Sequence, residues 1–270
     1  MKARNLTSIL LWSAVIFGLV IMSCAQKQTA NTATAEKPDV NSKQPIFKTI
    51  NFISADSLTI TADLYMTKDE QAPFIILFHQ AMFSRGSYRE IAPKLNQLGF
   101  NCLAVDQRSG NRSRGVINLT HKAAKKSHLK TKYADAYPDL EAALNFVKES
   151  YNSETLLVWG SSYSAALVFV LTADYPSSID GVLAFSPGEY FSFRGQKIED
   201  FSAKVNCPVF ITSAKSEKKD WISIFNKTAG KEKTGFVPQV EGQHGSKALW
   251  SKNFGYESYW EAVNKFLEQF

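Results

Sequence analysis

Residues 158–166 read VWGSSYSAA and connect two apolar runs. The run that leads into this stretch, residues 155–159, ends at Trp159 and is rich in β-prone side chains. The run after it, residues 167–171, follows several small residues. A strand that enters a helix through glycine and two serines forms either a plain tight turn or a sharp turn that exposes one hydroxyl group. The rest of the sequence has to decide between these two interpretations.

The start of the 270-residue chain has the layout of an export signal. Two basic residues precede an almost uncharged apolar segment, residues 6–22, which predicts a signal peptide over 1–23. Its end resembles the lipobox of bacterial lipoproteins, and this resemblance implies cleavage before Cys24 and lipidation of that thiol. An uncleaved signal anchor is the alternative, because roughly 17 apolar residues are at the lower limit for a membrane span.

Residues 24–45 are polar, lack apolar periodicity and are predicted to form a flexible tether behind the lipidated Cys24. We therefore expect the domain at 46–270 to lie in the cell envelope, anchored to the membrane and facing the periplasm or the exterior. The formal net charge of +6 includes two basic residues of the signal peptide. No basic face interleaved with aromatic residues is evident, so nucleic acid is not an expected partner.

Strands alternate with helices from residue 73 onward, after a short hairpin. Continuous apolar runs such as 73–78 are typical of strands buried on both faces, and segments such as 138–147 carry a single apolar stripe. This pattern predicts an α/β domain with an eight-stranded, mostly parallel sheet, an antiparallel start and helices on both faces. Further predicted elements are the hairpin strands 47–54 and 58–66, the helices 88–98 and 221–228, and a last strand over 234–240.

In open parallel sheets, functional residues lie at the carboxyl ends of strands. Residues 160–164 read GSSYS and fit the pattern of a nucleophile elbow, in which Ser162 is the nucleophile and Ser161 is the variable residue. Small neighbours allow the strand and the helix to approach each other, although Ser164 stands where glycine is commoner. Taken alone, the pattern also fits a plain turn.

An acid and a histidine follow the serine, each beyond the end of a predicted strand. Glu217 lies five residues beyond the strand predicted at 208–212. His244 follows the last predicted strand and has a glycine on each side, at 242 and 245. The order serine, acid, histidine is the order of α/β-hydrolase triads. Glu217 is favoured as the acid, and Asp220 stays open as the alternative because it could instead cap the next helix.

The order and spacing of six segments are similar to those of dienelactone-hydrolase-like members of the α/β-hydrolase superfamily. These segments are ILFHQA, FNCLAVDQRSG, YPDLEAALNFV, VWGSSYSAAL, CPVFITSAKSE and GQHGSKAL, and the resemblance covers 46–270. It implies an α/β-hydrolase fold and a serine-dependent carboxylic ester hydrolase with Ser162, His244 and Glu217 as the triad. Dienelactone hydrolases proper use cysteine as the nucleophile, so the serine points to an esterase or a related acyl hydrolase.

The resemblance also implies an oxyanion hole formed by the N–H groups of Ala81 and Tyr163. His79 would orient the loop that carries Ala81, because it precedes the serine in the chain and does not fit the triad order. A small-molecule ester is the expected substrate, with no cofactor and no metal, and the protein is expected to act as a monomer. A non-catalytic surface lipoprotein that uses the fold as a binding module is the alternative.

Two segments bear on access to the predicted site. The link 185–205 is too short for a large helical lid, so we expect an open site that the aromatic residues Tyr190, Phe191 and Phe193 could line. The stretch 107–137 is long and basic, and it forms either a basic wall beside the site or a solvated surface loop.

The two cysteines of the domain are expected to be free. The strand order 1-2-4-3-5-6-7-8 implied by the resemblance separates Cys102 from Cys207 by three strands, which places them roughly 19 Å apart. A disulfide needs Cα atoms within about 7 Å, so two buried thiols are expected.

Overall fold

A computed structural model describes residues 46–270. The predicted signal peptide, Cys24 and the tether lie outside the described residues. The strands are β1 (Lys48–Ile53), β2 (Thr59–Tyr65), β3 (Phe74–Phe78), β4 (Asn101–Val105), β5 (Arg112–Ser113), β6 (Val116–Ile117), β7 (Leu156–Ser161), β8 (Gly181–Phe185), β9 (Val209–Thr212) and β10 (Lys233–Phe236). The helices are α1 (Ile91–Gln97), α2 (Leu119–Lys126), α3 (Tyr137–Ser150), α4 (Tyr163–Asp174), α5 (Ile198–Ser202), α6 (Lys218–Lys227) and α7 (Tyr256–Leu267).

Eight of these strands form one sheet in the order β1-β2-β4-β3-β7-β8-β9-β10, and β5 and β6 form a separate two-stranded ribbon. β2 runs antiparallel to both β1 and β4, whereas β3, β4, β7, β8, β9 and β10 run parallel to one another. The predicted α/β-hydrolase fold, with eight strands and an antiparallel start, is therefore confirmed.

Side chains that alternate along the central strands feed two hydrophobic cores, one on each face of the sheet. In β3, Ile76 and Phe78 face the core that is covered by α2, α3, α4, α5 and α6. Ile75 and Leu77 face the opposite core, which is covered by α1 and α7. All four side chains are fully buried, and each such burial stabilises the fold by about 1.5–3 kcal/mol. This two-sided burial explains why the central strands are continuously apolar.

Proline sets two boundaries that differ from the predicted ones. The first helix begins at Ile91 rather than at 88, after a 3₁₀ turn over Arg85–Tyr88. Pro93 is then the third helical residue, where its missing N–H costs no intrahelical hydrogen bond. The last strand ends at Phe236 rather than at 240, because Pro238 cannot donate to a sheet ladder.

The link between β8 and β9 is compact. It contains a bridge between Phe193 and Gln196 and the five-residue helix α5, so the expected absence of a large lid holds for the described residues. Within residues 46–270, none of the helices has the length and apolar character needed to cross a bilayer.

The basic stretch 107–137 is ordered rather than a plain loop, since it contains β5, β6 and α2. Its first cation, Arg108, is buried and pairs with Asp139 at 2.7 Å and Asp56 at 2.6 Å. Removal of Arg108 would leave Asp139 buried without its partner, at a cost of about 3–5 kcal/mol. Arg108 therefore holds the fold together and is not part of a basic wall, whereas most lysines of this stretch are exposed to solvent.

Both cysteines of the described domain are free. Cys102 is buried within β4, and β3, β7 and β8 lie between it and the strand that follows Cys207. Cys207 is only half-buried, which corrects the expectation of two buried thiols; it precedes β9, outside the closely packed part of the sheet.

Candidate active site

The turn between β7 and α4 has strained backbone geometry. Ser162 has φ 60° and ψ −125°, a conformation that costs a non-glycine residue on the order of 1–3 kcal/mol. Its N–H donates to the Phe185 carbonyl at the end of β8, at 2.7 Å. Of the two interpretations that the sequence left open, the structure contains the sharp turn.

Small residues on both sides of Ser162 make this turn possible. A Cβ atom added to Gly160 would lie 2.4 Å from the Ser164 carbonyl oxygen. The Ser164 hydroxyl donates to the His79 carbonyl at 2.6 Å and accepts from Gln107 Nε2 at 2.7 Å. The serine that stands in place of the commoner glycine therefore ties the elbow to the loop after β3.

His244 and Glu217 form a hydrogen-bonded pair. His244 Nδ1 lies 2.7 Å from Glu217 Oε1, and the two side chains are 32% and 23% exposed. Glu217 Oε2 accepts from the Ser186 hydroxyl at 2.6 Å and from the Ala214 N–H at 3.2 Å. Burial alone would raise the pKa of Glu217, but hydrogen bonds from His244 and Ser186 outweigh it and hold that pKa below its ordinary value of 4.5.

The structure brings Glu217, and not Asp220, to the histidine. A 3₁₀ turn over Lys215–Glu217 reverses the chain after β9 and directs the glutamate inward. The helix that was predicted to begin at 221 begins at Lys218, so Asp220 lies in its first turn and is exposed. There its negative charge interacts favourably with the positive end of the helix dipole.

The turn that follows His244 is fastened to the ends of β7 and β8. The Ser246 N–H donates to the Ser161 hydroxyl, and the Gly245 N–H donates to the Ser186 hydroxyl, both at 2.8 Å. Among the described residues, no hydrogen bond joins Ser162 to His244, and such contacts are often long in the absence of substrate. The anchors nevertheless place the histidine turn beside the elbow.

The loop after β3 is positioned by a buried histidine. Gln107 N–H and Asn118 Nδ2 both donate to His79 Nε2, at 3.0 and 3.1 Å, so the ring proton resides on Nδ1 and is donated to the Gln80 carbonyl at 2.8 Å. Burial lowers the pKa of His79 to about 4, against the effect of the Gln80 carbonyl, so the ring stays neutral. This neutral, fully buried ring therefore orients the loop.

The two N–H groups predicted for an oxyanion hole belong to Ala81, in this loop, and Tyr163, at the start of α4. Within residues 46–270, neither N–H donates to another backbone group outside the regular ladders.

Of the aromatic residues predicted to line the site, only Tyr190 has polar contacts near the elbow. Its hydroxyl donates to the Ser186 carbonyl at 2.7 Å. Partial burial of the hydroxyl end raises the pKa of Tyr190, and the neighbouring Ser162 hydroxyl opposes that rise. Phe193 instead packs against Tyr137, with ring centroids 4.9 Å apart, and Phe191 packs against the core.

Sequence reasoning missed two hydroxyl groups of this site. Ser186 directly follows β8, so the rule that functional residues lie at strand ends would have found it. Ser161 was interpreted as the variable residue of the elbow, and only the contact with Ser246 reveals its role. Within the part of the chain that the structure describes, no group of three or more His, Cys, Asp or Glu residues could hold a metal ion.

Comparisons with known proteins agree with this architecture. A family model described as alpha/beta hydrolase fold matches residues 73–203. The chain therefore has the fold of the α/β-hydrolase superfamily. No curated protein matches the sequence.

Similar solved structures share the fold at low sequence identity. An esterase from Pyrococcus furiosus has a TM-score of 0.65 and 17% identity, covering 83% of this chain and 92% of its own. A thermostable carboxyl esterase from Bacillus coagulans has a TM-score of 0.65 and 12% identity, covering 83% and 99%. A dienelactone hydrolase from Anabaena variabilis has a TM-score of 0.63 and 10% identity, covering 84% and 99%.

Substitution of Gly160 by alanine tests whether close packing maintains the elbow. The added methyl group would lie 2.4 Å from the Ser164 carbonyl oxygen and 2.5 Å from Ala165 Cα, so we expect Gly160→Ala to lower the free energy of unfolding by about 1–3 kcal/mol. Gly235→Ala is the matched control, because its nearest neighbours are 3.4 Å away. Urea denaturation measures both, and equal stabilities for the two variants would contradict the packing account.

Proposed function

We propose that this protein is a serine-dependent carboxylic ester hydrolase that acts through Ser162, His244 and Glu217. The observation that carries the proposal is the 2.7 Å hydrogen bond between His244 and Glu217, in a turn fastened beside a strained serine. Similarity to the solved structures of esterases supports the same reaction class. The open site, without a large lid among the described residues, is compatible with a small-molecule ester substrate.

In the first half of the proposed reaction, Ser162 Oγ attacks the carbonyl carbon of the ester. The hydroxyl proton moves to His244 Nε2, while Nδ1–H remains bonded to Glu217 and fixes the ring tautomer. Because the pKa of Glu217 lies below 4.5, this carboxylate is ionised at neutral pH and stabilises the imidazolium.

The developing negative charge on the carbonyl oxygen would be met by the N–H groups of Ala81 and Tyr163. Each such donor contributes about 3 kcal/mol to stabilisation of the transition state, and the positive end of α4 adds to this. Collapse of the tetrahedral species breaks the bond to the leaving alkoxide, which takes the proton from His244. Water then attacks the carbonyl carbon of the acyl-Ser162 ester while His244 takes its proton. Collapse of the second tetrahedral species breaks the bond to Ser162 Oγ, which receives that proton from His244, and the carboxylic acid is released.

We also propose that the mature protein is a lipoprotein of the cell envelope, anchored through Cys24. The motif at residues 21–24 supports this location. Mass spectrometry of the N-terminal peptide from the membrane fraction should reveal a chain that begins at an acylated Cys24. In Cys24→Ser the acyl mass should be absent and residues 1–23 should be retained. An unmodified wild-type peptide that includes residues 1–23 would instead support the signal anchor.

Replacement of Ser162 by alanine tests the nucleophile. We expect Ser162→Ala to lose hydrolysis of p-nitrophenyl acetate by several orders of magnitude, since the members of a triad act as a unit. The fold should survive, because the alanine removes a single hydroxyl group, and circular dichroism provides that control. Hydrolysis by the variant at the wild-type rate would refute the assignment, and absence of hydrolysis in the wild type across acyl lengths would favour a binding module.

Comparison of Glu217→Gln with Asp220→Asn tests the acid. A neutral amide in place of the Glu217 carboxylate could not stabilise the imidazolium, so kcat should fall by roughly 10⁴-fold. Asp220→Asn changes an exposed residue that does not contact His244, and kcat should change by less than about twofold. Steady-state kinetics on p-nitrophenyl acetate measures both variants, and a large loss confined to Asp220→Asn would contradict the geometry.

A further inference from the structure

Ser186, the residue that follows β8, connects the acid, the histidine turn and the end of β9. Its hydroxyl donates to Glu217 Oε2 at 2.6 Å and accepts from the Gly245 N–H at 2.8 Å. Its own N–H donates to the Thr212 carbonyl at 2.6 Å, and its carbonyl accepts from the Tyr190 hydroxyl at 2.7 Å. No part of the proposed reaction uses this residue.

The direction of the hydroxyl hydrogen bonds is fixed by chemistry. A hydroxyl group has a single proton, and the Gly245 N–H can only donate, so that contact occupies a lone pair of Ser186 Oγ. The proton of the hydroxyl must then point to the Glu217 carboxylate, which can only accept. The serine thus links the backbone next to His244 to the far oxygen of its carboxylate partner.

We propose that Ser186 is a positioning residue, whose hydroxyl holds Glu217 and the turn beginning at His244 in the relative orientation that their hydrogen bond requires. The expected effect of Ser186 on kcat rests on the proposed hydrolase function, whereas its effect on the hydrogen bond between Glu217 and His244 does not.

The two partners need such a link because they come from separate segments. Glu217 ends a 3₁₀ turn after β9 and His244 precedes another after β10, and both side chains are partly exposed. With Oε1 bonded to His244, the Ser186 hydroxyl on Oε2 sets the plane of the carboxylate. The other donor to Oε2, the Ala214 N–H, is more distant at 3.2 Å.

The backbone at Ser186 indicates that the side chain is not incidental. Its φ of 53° lies in the left-handed region, which favours glycine because other residues are strained there. The backbone at this position would favour glycine, yet the residue is a serine, whose hydroxyl makes the two hydrogen bonds described above.

Ser161 provides a matched contrast. Its hydroxyl accepts from the Ser246 N–H at 2.8 Å, so it anchors the same turn from the elbow side, but it has no hydrogen bond to Glu217. Removing the Ser161 hydroxyl should disturb the histidine turn alone, whereas removing the Ser186 hydroxyl should disturb both the turn and the acid.

The first test measures kcat and KM for p-nitrophenyl acetate with Ser186→Ala and Ser186→Gly. We expect kcat to fall about tenfold to a hundredfold with KM within about threefold, as for a group that acts only in the transition state. Glycine relieves the backbone strain, so a similar loss in both variants assigns the effect to the hydroxyl and guards against misfolding of either. Ser202→Ala is the control, since it removes a buried hydroxyl bonded to the Glu199 and Ile224 carbonyls at 2.9 and 3.0 Å and should change kcat by less than about twofold.

The second test is a double-mutant cycle with Glu217→Gln. Because Ser186 holds both the carboxylate and the histidine turn, Ser186→Ala should lower kcat severalfold less in that background than in the wild type, since the part of its effect that acts through the carboxylate is already lost. Ser161→Ala should retain its full effect there. Additive losses for Ser186→Ala, or a loss no larger than that of Ser202→Ala, would overturn the inference while leaving the hydrolase proposal intact.

The third test does not depend on turnover. The His244 Nδ1 proton, bonded to a carboxylate, should give a strongly downfield proton NMR resonance in the wild type and in Ser202→Ala. We expect this resonance to shift upfield or broaden in Ser186→Ala and Ser186→Gly. An unchanged resonance would overturn the inference even if no ester is hydrolysed, whereas a changed resonance together with an inactive wild type would refute only the proposed function.

Discussion

The backbone at Ser162 adopts φ 60° and ψ −125°, a conformation that persists only where its surroundings enforce it. The end of β8 holds the serine N–H, and the absence of a side chain at Gly160 lets α4 pack directly on β7. The same turn starts α4 at Tyr163, so Ser162 lies at the positive end of the helix dipole. Strain in one residue thus places a hydroxyl group at the start of a helix, with the buried sheet as the rigid support.

Hydroxyl groups perform most of the positioning around this point. The hydroxyls of Ser161 and Ser186 accept hydrogen bonds from the backbone N–H groups of the histidine turn. The Ser164 hydroxyl ties the elbow to the loop after β3, and the Ser186 hydroxyl also donates to Glu217. Neutral hydroxyls add no charge beside the carboxylate of Glu217, which is hydrogen-bonded to the imidazole of His244. A serine can also accept and donate simultaneously, which allows one short side chain to join two segments.

The sequence predicts the parts of this architecture that depend on local signals. Alternating strands and helices predict the sheet, and strand ends predict the positions of Ser162, Glu217 and His244. The predicted start of the first helix and the predicted end of the last strand were wrong, because the prediction extended apolar periodicity past Pro93 and Pro238, which lack an N–H. The roles of Ser161 and Ser186 depend on the register that pairs Ser161 with Phe185 across β7 and β8, a long-range contact that no local pattern encodes.

Mapping the adduct of a fluorophosphonate tests the central claim most directly, because the reagent forms a bond with an activated serine and expels fluoride. Treatment of the folded protein, followed by peptide mass spectrometry, should locate one adduct per chain on Ser162, within residues 158–166. His244→Ala should suppress the labelling, since the hydroxyl proton would have no acceptor. An adduct on Ser161 or elsewhere, or no adduct on a folded wild-type protein, would contradict the assignment of the nucleophile.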